Sequence, residues 1–341
     1  MSRQESQLLK GVAILLMIFS HLFYAAGNVD ICVNFIYIKS EPLVQYLSRA
    51  ANPVAFFLIL GGYGLYKVYL KGDRHRWSRP LKLYIHYWTT LVVFVGIGHF
   101  MYPELYPGSI GKIIANISAF HTTYNCEMWF LLPYILVALL SPLIFRYTAK
   151  IKWWVIILIT FSIYLCTSYC ISRYGAEFLY KERILYNPLL VFHFLFSFSL
   201  GAVAALDHFF EWLKRKTNQL SHRSLTAVLT ILALVAIRCE FKYFFGYEFL
   251  IICAICLMSM PRIINRMLVA LGNRSMDMWM IHTWFCTYLF HGFIYSFKYP
   301  LLIFTVLTLI SYYSSVVNSW LAFPIERLFL SKTEIKKKPI L

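Results

Sequence analysis

Residues 10–21 read KGVAILLMIFSH, in which a lysine and a histidine close off an otherwise apolar run. An imidazole in an apolar solvent is costly and is a functional candidate by default. Its neutral form can serve as a general base or a nucleophile. On a helix, Lys10 and His21 lie about 16 Å apart along the axis, and eleven steps of 100° bring them within about 20° of one another. A long ligand with an anionic end, gripped by Lys10, would reach His21 with its far end. The plainer alternative is a histidine that hydrogen-bonds between helices and a lysine that snorkels to the headgroups.

Other polar residues fall where apolar ones are expected. RWSRPLKLYIHYW (76–88) brings Arg76, Arg79, Lys82 and His86 to the start of a span. That pattern suits a topology anchor and equally a phosphate-binding mouth. HTTYNCEMWFLLPY (121–134) offers His121, Glu127 and Trp129. Trp129 fits an interfacial belt position, and Glu127 fits the positive end of a helix. LGNRSMDMWMIHTWF (271–285) places His282 about a turn and a half beyond Asp277, at interior depth. Asp277 and Glu326 fall near inner boundaries where neighbouring bases can pair with them. His99 lies near an outer boundary, and His193 suits a hydrogen bond between helices. Gly61, Gly62 and Gly64 mark close approach of a helix or a ligand.

These residues need a scaffold, and the composition says which. The chain has 341 residues, 60% hydrophobic and 14% charged, against about 25% charged in a soluble domain. Apolar runs long enough to cross a bilayer recur along it. They predict an all-α polytopic membrane bundle of about ten spans: 8–26, 48–69, 84–101, 128–146, 153–171, 187–206, 224–238, 246–260, 276–295 and 300–322. Residues 1–330 then form one integral membrane domain and 331–341 a basic cytoplasmic tail. With both termini cytoplasmic, 23 of the 32 lysines and arginines lie on the cytoplasmic side and 9 on the other, as the positive-inside rule requires. The formal charge of +17 is then membrane anchoring beside anionic lipid, not nucleic-acid binding. No small-x-small pattern follows the first run, so it is expected to stay as a span. A single disulfide among Cys32, Cys126 and Cys239 is compatible with their outer placement. The C-x-x-C at Cys253 and Cys256 lacks the second pair of a zinc site. No metal or resident cofactor is expected, and no phosphate-loop, dinucleotide or serine-hydrolase motif occurs.

Taken in order, these segments resemble the membrane-bound acyltransferase 3 family, whose members acylate carbohydrates and related acceptors. KGVAILLMIFSH is similar to the family's Arg, ten residues, His pattern, with Lys10 in the Arg place. NPVAFFLILGGYGLY (52–66) resembles its second-span segment, with Gly61 where Ser is usual. RWSRPLKLYIHYW resembles its basic segment before the third span, and EMWFLLPYILVALLSPLIF (127–145) its Trp-Phe-Leu segment. LGNRSMDMWMIHTWF and PIERLF (324–329) resemble its late signatures. No appended extracytoplasmic domain is seen.

The resemblance implies transfer of an acyl group, acetyl first, from cytosolic acyl-CoA to a hydroxyl of a cell-surface polysaccharide or lipid-linked sugar. It implies Lys10, Arg79 and Lys82 at the donor phosphates. His21 is then base or acyl carrier, and His282 orients it or donates to an oxyanion. Glu127, His121 and Trp129 would face the acceptor. The implied partners are membrane lipid, acyl-CoA, a carbohydrate acceptor and polysaccharide-assembly proteins, in a cell membrane. The competing class is a transporter or flippase for a lipid-linked sugar or small anion, against which stands the lack of paired halves with matched broken helices.

Overall fold

Ser2 opens the first helix through a reciprocal cap: its hydroxyl accepts from the Glu5 N–H while the Glu5 carboxylate accepts from the Ser2 N–H. The computed structural model describes residues 1–72 and 77–330. Arg76 and the tail 331–341 lie outside the described residues. After α1 (Arg3–Phe23) come α2 (Ala26–Asp30), a hairpin pairing Tyr37 with Pro42, α3 (Leu43–Ser48), α4 (Pro53–Leu70), α5 (Ser78–Met101) and α6 (Ile110–Ile117). A 3-10 turn, Cys126–Phe130, leads into α7 (Leu131–Thr148). Then follow α8 (Trp153–Tyr174), α9 (Arg183–Leu206), α10 (Phe209–Lys216), α11 (Arg223–Glu240), α12 (Tyr247–Leu257) and α13 (Arg262–Thr283). A π-helical turn, Trp284–Tyr288, precedes α14 (His291–Tyr295) and α15 (Pro300–Phe329).

The bundle is all-α, and among the described residues 7 helical stretches are long and apolar enough to cross a membrane. Two of the remaining expected spans coincide with α11 and α12, and the third overlaps α13 only over 276–283. α11 carries Arg223, Arg238 and Glu240, and α12 has 11 residues. The ninth span, expected over 276–295, is a helix that starts at Arg262, so the expected loop 261–275 is its first half. Arg262, Arg266, Arg274 and Asp277 hide it from an apolarity count. Phe19 meets Phe304 edge-on at 6.0 Å, so α15 starts where α1 finishes. The described chain therefore begins and ends at one end of the bundle.

Glycines set the two tightest helix pairs. α1 and α13 run parallel, with Gly11 against the Leu268 carbonyl and Gly272 against the Gln7 carbonyl; a Cβ on either would strike backbone. α4 and α9 repeat the device, Gly62 on the Phe198 carbonyl and Gly201 on the Ile59 carbonyl. Small residues let helix backbones approach where lipid supplies no hydrophobic drive. Gly61 instead faces the Tyr134 ring, and Gly64 has nothing within 4 Å.

Of the segment 102–127, expected as an outer loop, the part up to residue 125 folds back along α5. His99 Nδ1–H donates to the Tyr106 carbonyl across 2.9 Å near the outer end of α5. The other end of α6 meets α5 much nearer its start. Tyr87 Oη–H donates to Asn116 O at 2.8 Å, Trp88 Nε1–H to Ile117 O at 2.9 Å and Tyr84 Oη–H to Ser118 O at 2.8 Å. Tyr84 and Trp88 lie about 9 and 15 Å along a helix of about 36 Å. Re-entrant backbone must have its polar groups satisfied by protein, and these three aromatic donors satisfy the last carbonyls of α6. Asn116, fully buried, completes the fold-back by accepting from the Tyr124 N–H at 2.9 Å. The chain then turns up to the 3-10 turn that carries Glu127.

Candidate functional site

The glycine contacts bring two histidines together. His21 lies ten residues past Gly11 on α1, and His282 lies ten past Gly272 on α13. Because the helices are parallel and meet at those glycines, equal offsets place the rings side by side. They stack with centroids 4.9 Å apart and planes 8° apart, and His21 Nδ1 lies 2.7 Å from His282 Nε2. His282 is fully buried and its Nδ1 sits 3.0 Å from Met278 O and 2.9 Å from Trp279 O.

These contacts assign the protons. Carbonyls only accept, so His282 Nδ1 carries a hydrogen, and Nε2 of the neutral ring is an acceptor. His21 Nδ1–H therefore donates to it. His21 Nε2 is left with its lone pair, 3.5 Å from Glu127 Oε2. The His21 side chain is 23% exposed and that of Glu127 35%, so the pair is reachable. A lone pair does not bond a carboxylate, so the gap suits a ligand proton. His282, with both nitrogens engaged, has no N–H left for an oxyanion and acts as the group that orients His21.

Glu127 is held from below. Its N–H donates to Asn125 Oδ1 at 3.2 Å, and Asn125 Nδ2–H donates to Thr283 Oγ1 at 2.8 Å. Asn125 and Thr283 are both buried. The Cys126 N–H donates to the Tyr288 hydroxyl at 2.7 Å. Thus the 3-10 turn is pinned to residues immediately after His282. Asn125, Thr283 and Tyr288 were not anticipated; only the proximity of Asn125 to Glu127 and of Thr283 to His282 in sequence hinted at them.

Of the basic residues, Lys10 lies near enough to Arg79 and Arg3 to feel both charges, and Arg79 acts likewise on Tyr134. Among the described residues no carboxylate pairs with Lys10 or Arg79. Lys82 differs: its ammonium lies 2.6 Å from Glu326 and is engaged there. Glu326 in turn meets His86 Nε2 at 2.5 Å, and Asp277 meets His86 Nδ1 at 2.5 Å. Asn318 Nδ2–H and Ser319 Oγ–H also donate to Asp277, at 2.9 and 2.7 Å. The bases expected beside Asp277 and Glu326 are thus His86 and Lys82.

The acceptor-side residues separate. Trp129 packs toward Phe194 of α9 with ring centroids 6.0 Å apart. His121 lies close enough to Arg183 to feel its charge, and among the described residues no hydrogen bond ties its ring to His21 or Glu127. His193 makes the interhelical contact expected of it, Nδ1 to Thr167 Oγ1 at 3.1 Å. All eight cysteines are free thiols, Cys32, Cys126 and Cys239 included. Among the described residues no His, Cys, Asp and Glu group has metal-ligand geometry.

A family model described as an acyltransferase domain matches residues 3–320, a stretch that holds His21, Glu127, His282, Lys10 and Arg79 but stops short of Glu326. No curated protein and no solved structure matches the chain.

Proposed function

The chain belongs to the acyltransferase 3 family, and from that premise we propose that it moves an acetyl group from cytosolic acetyl-CoA to a hydroxyl of a cell-surface polysaccharide or lipid-linked sugar. The observation that carries the reading is the setting of His21, with Nδ1 2.7 Å from His282 Nε2 and Nε2 turned to Glu127 at 3.5 Å. An acceptor hydroxyl placed between Nε2 and the thioester gives its proton to Nε2 as its oxygen attacks the carbonyl carbon. Glu127 stabilises the imidazolium that forms. The tetrahedral intermediate collapses, the C–S bond breaks, and the leaving thiolate takes the proton back from His21 as CoA–SH. The ester is the second product, and His21 is neutral again.

Lys10 and Arg79 bind the donor phosphates at the end of the bundle that holds both termini. A cytoplasmic setting for that end agrees with the lysine and arginine bias. The pantetheine arm covers the roughly 16 Å to His21. Lys82 contributes through Glu326, as part of the wall behind Arg79. Trp129 and His121 line the approach of the sugar. A separate polysaccharide-assembly protein supplies the acceptor in the cell membrane. A flippase would use the same basic mouth but needs no base with a vacant lone pair.

The test is mass spectrometry of surface glycans from cells with and without the protein. The proposal expects loss of ester substituents from an otherwise intact glycan. Loss of the whole glycan overturns it in favour of transport or polymerisation.

A further inference from the structure

α12 is the shortest of the ten bundle helices that overlap expected spans. Its 11 residues reach about 16 Å, roughly half of a hydrocarbon core of about 30 Å. It ends at Leu257, and the chain turns at once into α13. A helix too short for the bilayer draws headgroups inward or leaves a gap to fill.

Two cavities meet at that place. One, of about 400 Å³, is lined by Asn218, Ser221, His222, Arg223, Ser224 and Ser259 at the end of the bundle that holds the termini. The other, of about 190 Å³, runs between α10, α11 and α12. Leu213, Ala227, Leu234, Leu250, Cys253 and Leu257 line it. They share Leu220 and Arg223, so an open polar depression adjoins an apolar groove with Arg223 lining both. Among the described residues no carboxylate pairs with Arg223. Exposed Arg215 and Lys216, at the end of α10, add positive charge to the same rim.

We infer that this notch holds one anionic phospholipid, its phosphate on Arg223 and the surrounding hydroxyls, and one acyl chain in the groove between α11 and α12. Arg223 matches a phosphate in charge and in its fork of donors. The groove continues the way an acyl chain must run, from the headgroup level toward the bundle middle. The site is independent of the histidine pair and of the acyl-transfer reading, and none of its lining residues belongs to that machinery.

Native mass spectrometry of the full chain in detergent tests it, with phosphatidylglycerol and phosphatidylcholine of identical chains as probes. The wild type is expected to retain one phosphatidylglycerol, at least tenfold above phosphatidylcholine. Arg223→Ala should lower that occupancy at least tenfold. Ala227→Trp, which fills the groove and leaves Arg223 in place, should lower it by a similar factor. A Lys298→Ala variant at the opposite end should change nothing. Equal retention of the two lipids, an annular lipid only, overturns the site, as does unchanged occupancy in Arg223→Ala. Retention of inorganic phosphate in place of the lipid overturns it as well. Among the described residues Arg223 has no ion-pair partner whose loss would unfold the chain, so its result stands if Ala227→Trp fails to fold.

Discussion

Two buried histidine clusters sit on α13 within five residues of each other, and they are built in opposite ways. Around His86, every nitrogen faces a carboxylate: Asp277 on one side and Glu326 on the other, both at 2.5 Å, with Lys82 on Glu326. Ionised carboxylates only accept, so both ring nitrogens donate, and two positive groups balance two negative ones. Nothing there is left to react. Around His21, one nitrogen is committed to His282, the other has only Glu127 at 3.5 Å, and the side chain is 23% exposed. The first cluster joins α5, α13 and α15 into a fixed frame. The second presents a base on that frame. A histidine is open to chemistry when one of its nitrogens is not held in a close protein hydrogen bond.

That contrast can be broken by substitution. His86→Ala should act most strongly, leaving two buried carboxylates facing each other with only Glu326 still held by a lysine. Losing one partner of a buried ionic network costs about 3–5 kcal/mol, against about 5–15 kcal/mol for a whole domain. The expected readout is little or no monodisperse protein in detergent; a His86→Ala variant that melts like wild type would mean the frame lies elsewhere. Glu127→Gln should leave folding intact and slow transfer by roughly 10²-fold, the usual scale for removing one preorganised charge partner. Donor KM should not move, and a change confined to KM would transfer Glu127 to binding.

Smaller effects sharpen the helix packing that sets the histidine pair. Gly11→Ala or Gly272→Ala forces a methyl into backbone, at about 1–3 kcal/mol, and should slow turnover by displacing the rings. Gly64→Ala, with open space around it, should keep the melting temperature or raise it slightly; thermal scans of the three variants separate the cases. Lys10→Arg should change least. It should retain or lower donor KM, because a guanidinium still meets a phosphate and adds a fork. A large rise in KM would remove Lys10 from the donor site.

Much of this was legible in local sequence. His21 showed itself as an ionisable group in an apolar run, and His282 by interior depth beside Asp277. The 7 long apolar helices of the described residues follow from run lengths. What stayed hidden depends on contacts between distant segments. The His86 network gathers residues 82, 86, 277 and 326 from three helices, and no local pattern encodes their meeting. Its formation also takes Lys82 out of the free basic mouth. The fold-back of 102–125 rests on Tyr84, Tyr87 and Trp88, which in sequence look like ordinary membrane aromatics. α13 was misplaced by 14 residues because its arginines made its first half look like a loop. His21 itself, expected near the middle of a span, lies two residues from the end of α1, where the turn carrying Glu127 can reach it.

The central claim is that His21 Nε2 takes the acceptor proton. The direct measurement is single-turnover transfer of labelled acetyl from acetyl-CoA to cell-surface glycan, wild type beside His21→Ala, per mole of folded protein. The account predicts a loss of roughly 10²–10⁴-fold with an unchanged melting temperature. Equal transfer by the two proteins would contradict it.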